Sequence, residues 1–140
     1  MKKMLLLLCL ILISSCAAMC IKKPNFKNTR WVAVYQIFVA DAGNETHTET
    51  LEFTSSKTYR KMSEWNLPPY PAMYRNADGT IDTMPGHSSS FEEEGTWSYH
   101  NGKVTLKSKD GGEMVLEYKD GKLEGEAFPG MPIVFERQSE

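Results

Sequence analysis

Residues 91–137 alternate with a period of two between turn dipeptides spaced at short, regular intervals, and few folds accept that pattern. The turns fall at His100-Asn101-Gly102, Lys109-Asp110-Gly111-Gly112, Lys119-Asp120-Gly121 and Pro129-Gly130. Asn-Gly and Asp-Gly supply the positive φ that tight hairpins need, in turns whose twist matches the flanking strands. Between the turns, Gly95, Trp97 and Tyr99 share one face and Thr96 and Ser98 the other. Val104 and Leu106 alternate with Thr105 and Lys107, and Met114, Leu116 and Tyr118 with Val115 and Glu117. A hairpin at each step sets neighbouring strands side by side in up-and-down order.

The upstream chain supplies further strands. Residues 30–39 place Trp31, Ala33, Tyr35 and Ile37 on one face and Val32, Val34, Gln36 and Phe38 on the other. Both faces are apolar, which predicts partial cover on the outside. A turn at Ala42-Gly43-Asn44 leads to residues 48–54, with Leu51 and Phe53 inward, and Ser55-Ser56 leads to residues 57–65, with Tyr59 inward. The alternation leaves the faces of Met62 and Trp65 open. With residues 91–99, 103–107, 113–118, 122–128 and 131–137 the count is eight strands, the number that closes a small barrel. The expected fold is all-β, an eight-stranded antiparallel up-and-down barrel. Trp31, Tyr35, Phe53, Tyr59, Trp97, Tyr99, Tyr118 and Phe135 all fall on the inner face. Eight strands enclose either their own side chains or one small ligand, and both a filled core and a cavity remain open at this point.

The N-terminus sets the expected compartment. Lys2 and Lys3 precede an apolar run at residues 4–13, too short to span a bilayer, and then Ile13-Ser14-Ser15-Cys16. This pattern resembles the bacterial lipobox, which implies a leader over residues 1–15, lipid on Cys16 and a tether over residues 16–29. Cys20 is the rival acceptor, and Met19 before it fits the box poorly. With Cys9 removed and Cys16 acylated, Cys20 stands alone, so the barrel expects no internal disulfide. Losing Lys2 and Lys3 takes the 16 basic residues to 14 against 18 acidic ones, a formal net charge of −4. That balance argues against nucleic acid as a partner. No acidic run follows Cys16; in bacteria whose surface lipoproteins carry such a run, its absence favours an outer-membrane position facing the periplasm over the cell surface.

Residues 66–90 break the rhythm with a stretch far longer than a hairpin loop. Pro68-Pro69-Tyr70-Pro71 stiffens it, and Tyr70, Met73 and Tyr74 are large apolar bodies in a loop. Two readings fit: a lid presenting these three to a ligand or partner, or a loop sealing the barrel end. No nucleophile constellation is present, and His47, His87 and His100 fall in or beside separate turns. No catalytic residue, cofactor or metal site is assigned; Met84-Pro85-Gly86-His87 with Met73 offers soft ligands of the kind copper takes, in a pattern usually found in ordinary loops.

Trp31 on an early strand, Leu51-Glu52-Phe53-Thr54 leading to Thr58-Tyr59, Glu94-Gly95-Thr96-Trp97-Ser98-Tyr99, and a final Phe135-Glu136-Arg137 together resemble the lipocalin-like small lipoproteins of Bacteroides-type bacteria. The resemblance covers most of residues 29–138. Lipocalins carry Gly two residues before the first-strand Trp, and here that place is Thr29. The family implies that Arg137 stacks on Trp31 to close the base, and that a cup open at one end takes a small hydrophobic ligand. Residues 30–138 are then one barrel domain with the long loop at 66–90. The expected ligand residues are Tyr35, Tyr59, Tyr70, Met73, Tyr74, Trp97 and Tyr99, and the expected partner besides the membrane is a small hydrophobic ligand. The alternative is a filled barrel that docks an envelope protein.

Overall fold

The computed structural model describes residues 24–139. It contains ten strands: β1 (Thr29–Val39), β2 (Gly43–Phe53), β3 (Thr58–Leu67), β4 (Tyr70–Pro71), β5 (Thr83–Met84), β6 (His87–His100), β7 (Lys103–Ser108), β8 (Glu113–Lys119), β9 (Lys122–Phe128) and β10 (Met131–Arg137). Eight of them close an antiparallel barrel in the order β1-β10-β9-β8-β7-β6-β3-β2, and β4 and β5 form a separate two-stranded sheet. The turn chemistry is as the dipeptides require. Asn101 and Gly102 take φ of 49° and 80°, and Asp120 and Gly121 take 50° and 81°. Positive φ at both central residues is the hairpin turn that continues strand twist.

Strand lengths are uneven. β1, β2, β3 and β6 hold 10 to 14 residues, whereas β7 to β10 hold 6 or 7. β7 pairs with β6 only from Gly95 to His100. β10 meets β1 only at Trp31↔Arg137 and Val32↔Glu136. The four long strands therefore continue past the short ones as a curved sheet, and its concave side forms one wall of the barrel mouth.

The core sits low in the barrel. Trp31, Leu51, Phe53, Tyr59, Val104, Leu106, Leu116, Leu123 and Phe135 are buried, and Tyr35, Trp97, Tyr99 and Tyr118 pack against them. At the centre lies Phe26, 1% exposed. Its ring has Trp31, Phe53, Trp97, Tyr99 and Tyr118 within 5.2–5.9 Å. Local bonds bring it there. Asn28 takes φ 58° and its N–H donates to the Phe53 carbonyl at 2.7 Å. The Thr29 hydroxyl donates to the Phe26 carbonyl at 2.6 Å and accepts the Trp31 indole N–H at 2.8 Å.

Four sequence expectations are corrected. The tether does not run to residue 29, because the turn through Thr29 folds Phe26 back into the base. Arg137 lies across the seam from Trp31 but is exposed, and among the described residues no guanidinium stacks on the indole. Its neighbours are Phe26 at 5.9 Å and Tyr118 at 6.3 Å, so an aromatic plug occupies the place of the cation. β2 begins at Gly43 rather than at residue 48, because Gly43 with φ 95° and Asp41 with φ 67° complete the turn earlier. The long loop shrinks to residues 68–86, since β3 runs on to Leu67 and pairs it with His87. The leader, Cys16 and Cys20 lie outside the described residues.

Candidate functional site

The register of the four long strands stacks inward side chains in rows. The row at the top of the core is Trp31, Leu51, Lys61 and Glu93, and the next is Ala33, Glu49, Ser63 and Phe91. Above these come Tyr35, His47, Trp65 and Ser89. Opposed residues in an antiparallel pair share a face with Cβ atoms about 5 Å apart. Consecutive planar side chains in one row therefore stack. The Tyr35 and His47 rings lie 5.0 Å apart and 21° from parallel, and His47 and Trp65 are 6.1 Å apart at 20°.

Carboxylates flank this aromatic row. Glu45 Oε1 lies 2.6 Å from His47 Nε2, and its Oε2 lies 3.4 Å from His87 Nε2. An ionised carboxylate only accepts, so the short contact is a hydrogen bond when His47 carries a proton on Nε2. Below the row sits Glu49, 8% exposed. It accepts the Tyr35 hydroxyl at 3.3 Å on one oxygen and the Ser63 hydroxyl at 2.5 Å on the other, with Lys61 Nζ at 4.0 Å. Deeper still, the Tyr59 hydroxyl donates to Glu93 at 2.5 Å. Burial first, then the charge and hydrogen bond of Glu49, push the Tyr35 phenol from 10.0 up to about 12. Burial and Glu93 likewise raise Tyr59. Both phenols are donors at neutral pH, and their carboxylates are acceptors. No buried side-chain polar atom among the described residues lacks a partner. This arrangement can hold and orient a bound molecule through ring edges, hydroxyls, an ammonium and carboxylates.

The structure sorts the expected ligand residues into three places. Tyr35 stands in the aromatic row of the mouth. Trp97 and Tyr99 pack on Phe26 in the filled base, and Tyr59 is 2% exposed beneath the mouth. Tyr70 lies in β4 opposite Met84, while Met73 and Tyr74 are 77% and 61% exposed and pack on no part of the core. The loop closes on itself through the Ala72 N–H to the Asp82 carbonyl, 2.8 Å, and the Asn76 N–H to the Thr80 carbonyl, 2.8 Å. It is a small hairpin, and it does not carry Met73 and Tyr74 into the mouth network. An open cleft on the outer wall beside Arg30, Val32, Glu52 and Arg137 includes none of the expected ligand residues.

Sequence reasoning missed His47, Glu45, Glu49, Ser63, Lys61 and the inward turn of Trp65. Starting β2 five residues late hid the first two. Trp65 was legible, because it continues the parity of Tyr59. Among the described residues no group of three or more His, Cys, Asp or Glu side chains is arranged to hold a metal ion. No family model, curated protein or solved structure matches the chain.

Proposed function

We propose that this chain is a bacterial envelope binding protein, held at a membrane by lipid on Cys16, whose barrel mouth takes a small hydrophobic ligand with a polar end. The row Tyr35-His47-Trp65 above Glu49 and Ser63 carries this reading. It sets apolar ring surface beside fixed acceptors and donors on the four long strands, above the aromatic base. The lipobox-like Ile13-Ser14-Ser15-Cys16 and the resemblance to lipocalin-like lipoproteins support the placement at a membrane, and the lack of an acidic run after Cys16 supports the periplasmic side. In this reading the ligand's body lies against Tyr35 and Trp65, and its polar end meets Ser63 and Lys61.

Native mass spectrometry of the chain purified from its own host tests the proposal. The expected result is an extra mass that leaves on denaturation and is absent from a Trp65→Ala variant. A bare wild-type mass, with no stabilisation by the host's extracted lipids in a melting screen, overturns it. A second reading, a filled barrel that docks a protein, is favoured by one observation: Phe26 plugs the base while Val34 and Phe38 stand 64% and 74% exposed on β1.

A further inference from the structure

Edge strands in natural sheets are usually protected by charge, proline or a bulge, because their unpaired N–H and C=O groups invite another strand. The barrel has three such edges above its short seam. The β6 edge carries Glu92 and Glu93, and the β10 edge carries Pro132. The β1 edge over residues 33–39, Ala-Val-Tyr-Gln-Ile-Phe-Val, carries no charge and no proline, and its ladder with β2 runs without a bulge.

The direction of its free groups follows from one bond. The Arg30 carbonyl accepts from the Gln138 N–H at 2.9 Å. Along a regular strand, every second residue points its N–H and C=O to the same side. Even-numbered residues of β1 therefore face β10. The ladder with β10 ends at Val32, which leaves Val34, Gln36 and Phe38 without a strand partner on that side. These same residues turn their side chains outward, where all three are exposed.

We infer that two copies of this chain pair edge to edge through residues 33–39, antiparallel, about a two-fold axis at Gln36. The sequence is self-complementary in this register and pairs without repulsion. Val34 of one copy lies opposite Phe38 of the other, Tyr35 opposite Ile37, and Ala33 opposite Val39. Gln36 meets its own symmetry mate, where two carboxamides can each donate and accept. The three free N–H and three free C=O groups on each copy are all used. The two most exposed apolar side chains of β1 cover each other. A two-fold interface demands this property, that the same patch be complementary to itself. Seven residues span about 23 Å, so the contact falls below the standard interface of about 1,600 Å². The pairing is weak in dilute solution and is promoted where copies share a membrane surface.

The test uses the full chain in the membranes of its own host, in a Cys20→Ser background. In a hydrogen-bonded antiparallel pair the Cα atoms lie about 5.5 Å apart, within disulfide range. Mild oxidation of Gln36→Cys is expected to give a disulfide-linked dimer as the main product. Glu64→Cys, on the exposed outer face of β3, is expected to stay monomeric. Sedimentation of the purified lipoprotein in detergent supplies the second measurement. Gln36→Lys sets two ammonium groups against each other and is expected to weaken dimerisation at least tenfold, with an unchanged melting midpoint. Mixing Gln36→Lys with Gln36→Glu restores it. Cross-linking of Gln36→Cys no greater than that of Glu64→Cys overturns the inference. So does a covalent product with a different protein, or a Gln36→Lys chain that dimerises like the parent.

Discussion

Phe26 shows how far a single side chain can decide the inside of a small barrel. Five aromatic neighbours surround it, and aromatic pairs of this kind contribute about 0.5–1.5 kcal/mol each beyond area burial. Phe26→Ala is expected to cost about 3–5 kcal/mol, read as a lower urea midpoint, and a loss below 1 kcal/mol would mean the base is not plugged. The residue was not legible as core. It stands alone among Pro24, Asn25, Lys27 and Asn28, with no alternation to place it. Only an unexplained large aromatic in a polar stretch pointed that way. Glu49 was hidden for a related reason, since a carboxylate on an inward position reads as solvated until its partners are known. Glu49→Ala leaves the Tyr35 and Ser63 hydroxyls without their acceptor and Lys61 without its counter-charge, and is expected to destabilise by about 1–3 kcal/mol. Tyr35 adds a pH dependence. Its phenol holds its proton to about 12 in the folded state against 10.0 in the unfolded chain. The stability it contributes is therefore complete below the lower value and is lost as pH rises through the upper one. Urea midpoints are expected to fall over that window, and less steeply in Tyr35→Phe.

The strands themselves were largely readable, because alternation and turn dipeptides act locally and agree with each other. The hairpins at Asn101-Gly102 and Asp120-Gly121 and the alternation of β7, β8 and β9 needed nothing from the rest of the molecule. Errors gathered where tertiary pairing extends a strand past its local signal. β2 gains Gly43 to His47 because β1 runs alongside it, and β6 gains His87 to Ser90 because β3 does. The polar composition of those extensions, Asn-Glu-Thr-His and His-Ser-Ser-Ser, imitates a loop. At the crossing of β3, β6 and β7, Gly95 is required by close approach. A Cβ there would run into the Lys107 carbonyl oxygen and lie 2.8 Å from the Tyr59 ring. Gly95→Ala is expected to cost about 1–3 kcal/mol through displaced backbone. In Gly112→Ala the new Cβ meets the Ser108 hydroxyl at 3.1 Å and no backbone, so the cost is expected to be smaller. Equal losses in the two variants would show that Gly95 is not a contact position.

At the level of the whole molecule the barrel has two halves with different work. The lower half is closed on all sides and holds the apolar core, from Leu51 and Phe53 round to Leu123 and Phe135. The upper half is a four-stranded wall with its polar network on one side and free edges at both ends. Native-state opening follows buried apolar contact, so amide exchange is expected to be slowest in Leu106, Leu116, Leu123 and Phe135. In β1 and β6 it should quicken from the base towards the mouth. The two free edges then separate the functional readings. If lipid on Cys16 holds the chain on vesicles as proposed, confinement there is expected to slow exchange at Val34, Gln36 and Phe38 and to leave the charged β6 edge unchanged, because the proposed pairing uses β1 alone. A ligand in the mouth acts differently, by bracing the Tyr35, His47 and Trp65 row from the concave side, so it slows exchange across β1, β2 and β3 together. Protection confined to β1 therefore marks association of copies, and protection spread across the wall marks an occupied mouth. Equal exchange in the upper and lower halves would remove the basis for both, since it would mean that the long strands are as fully enclosed as the core.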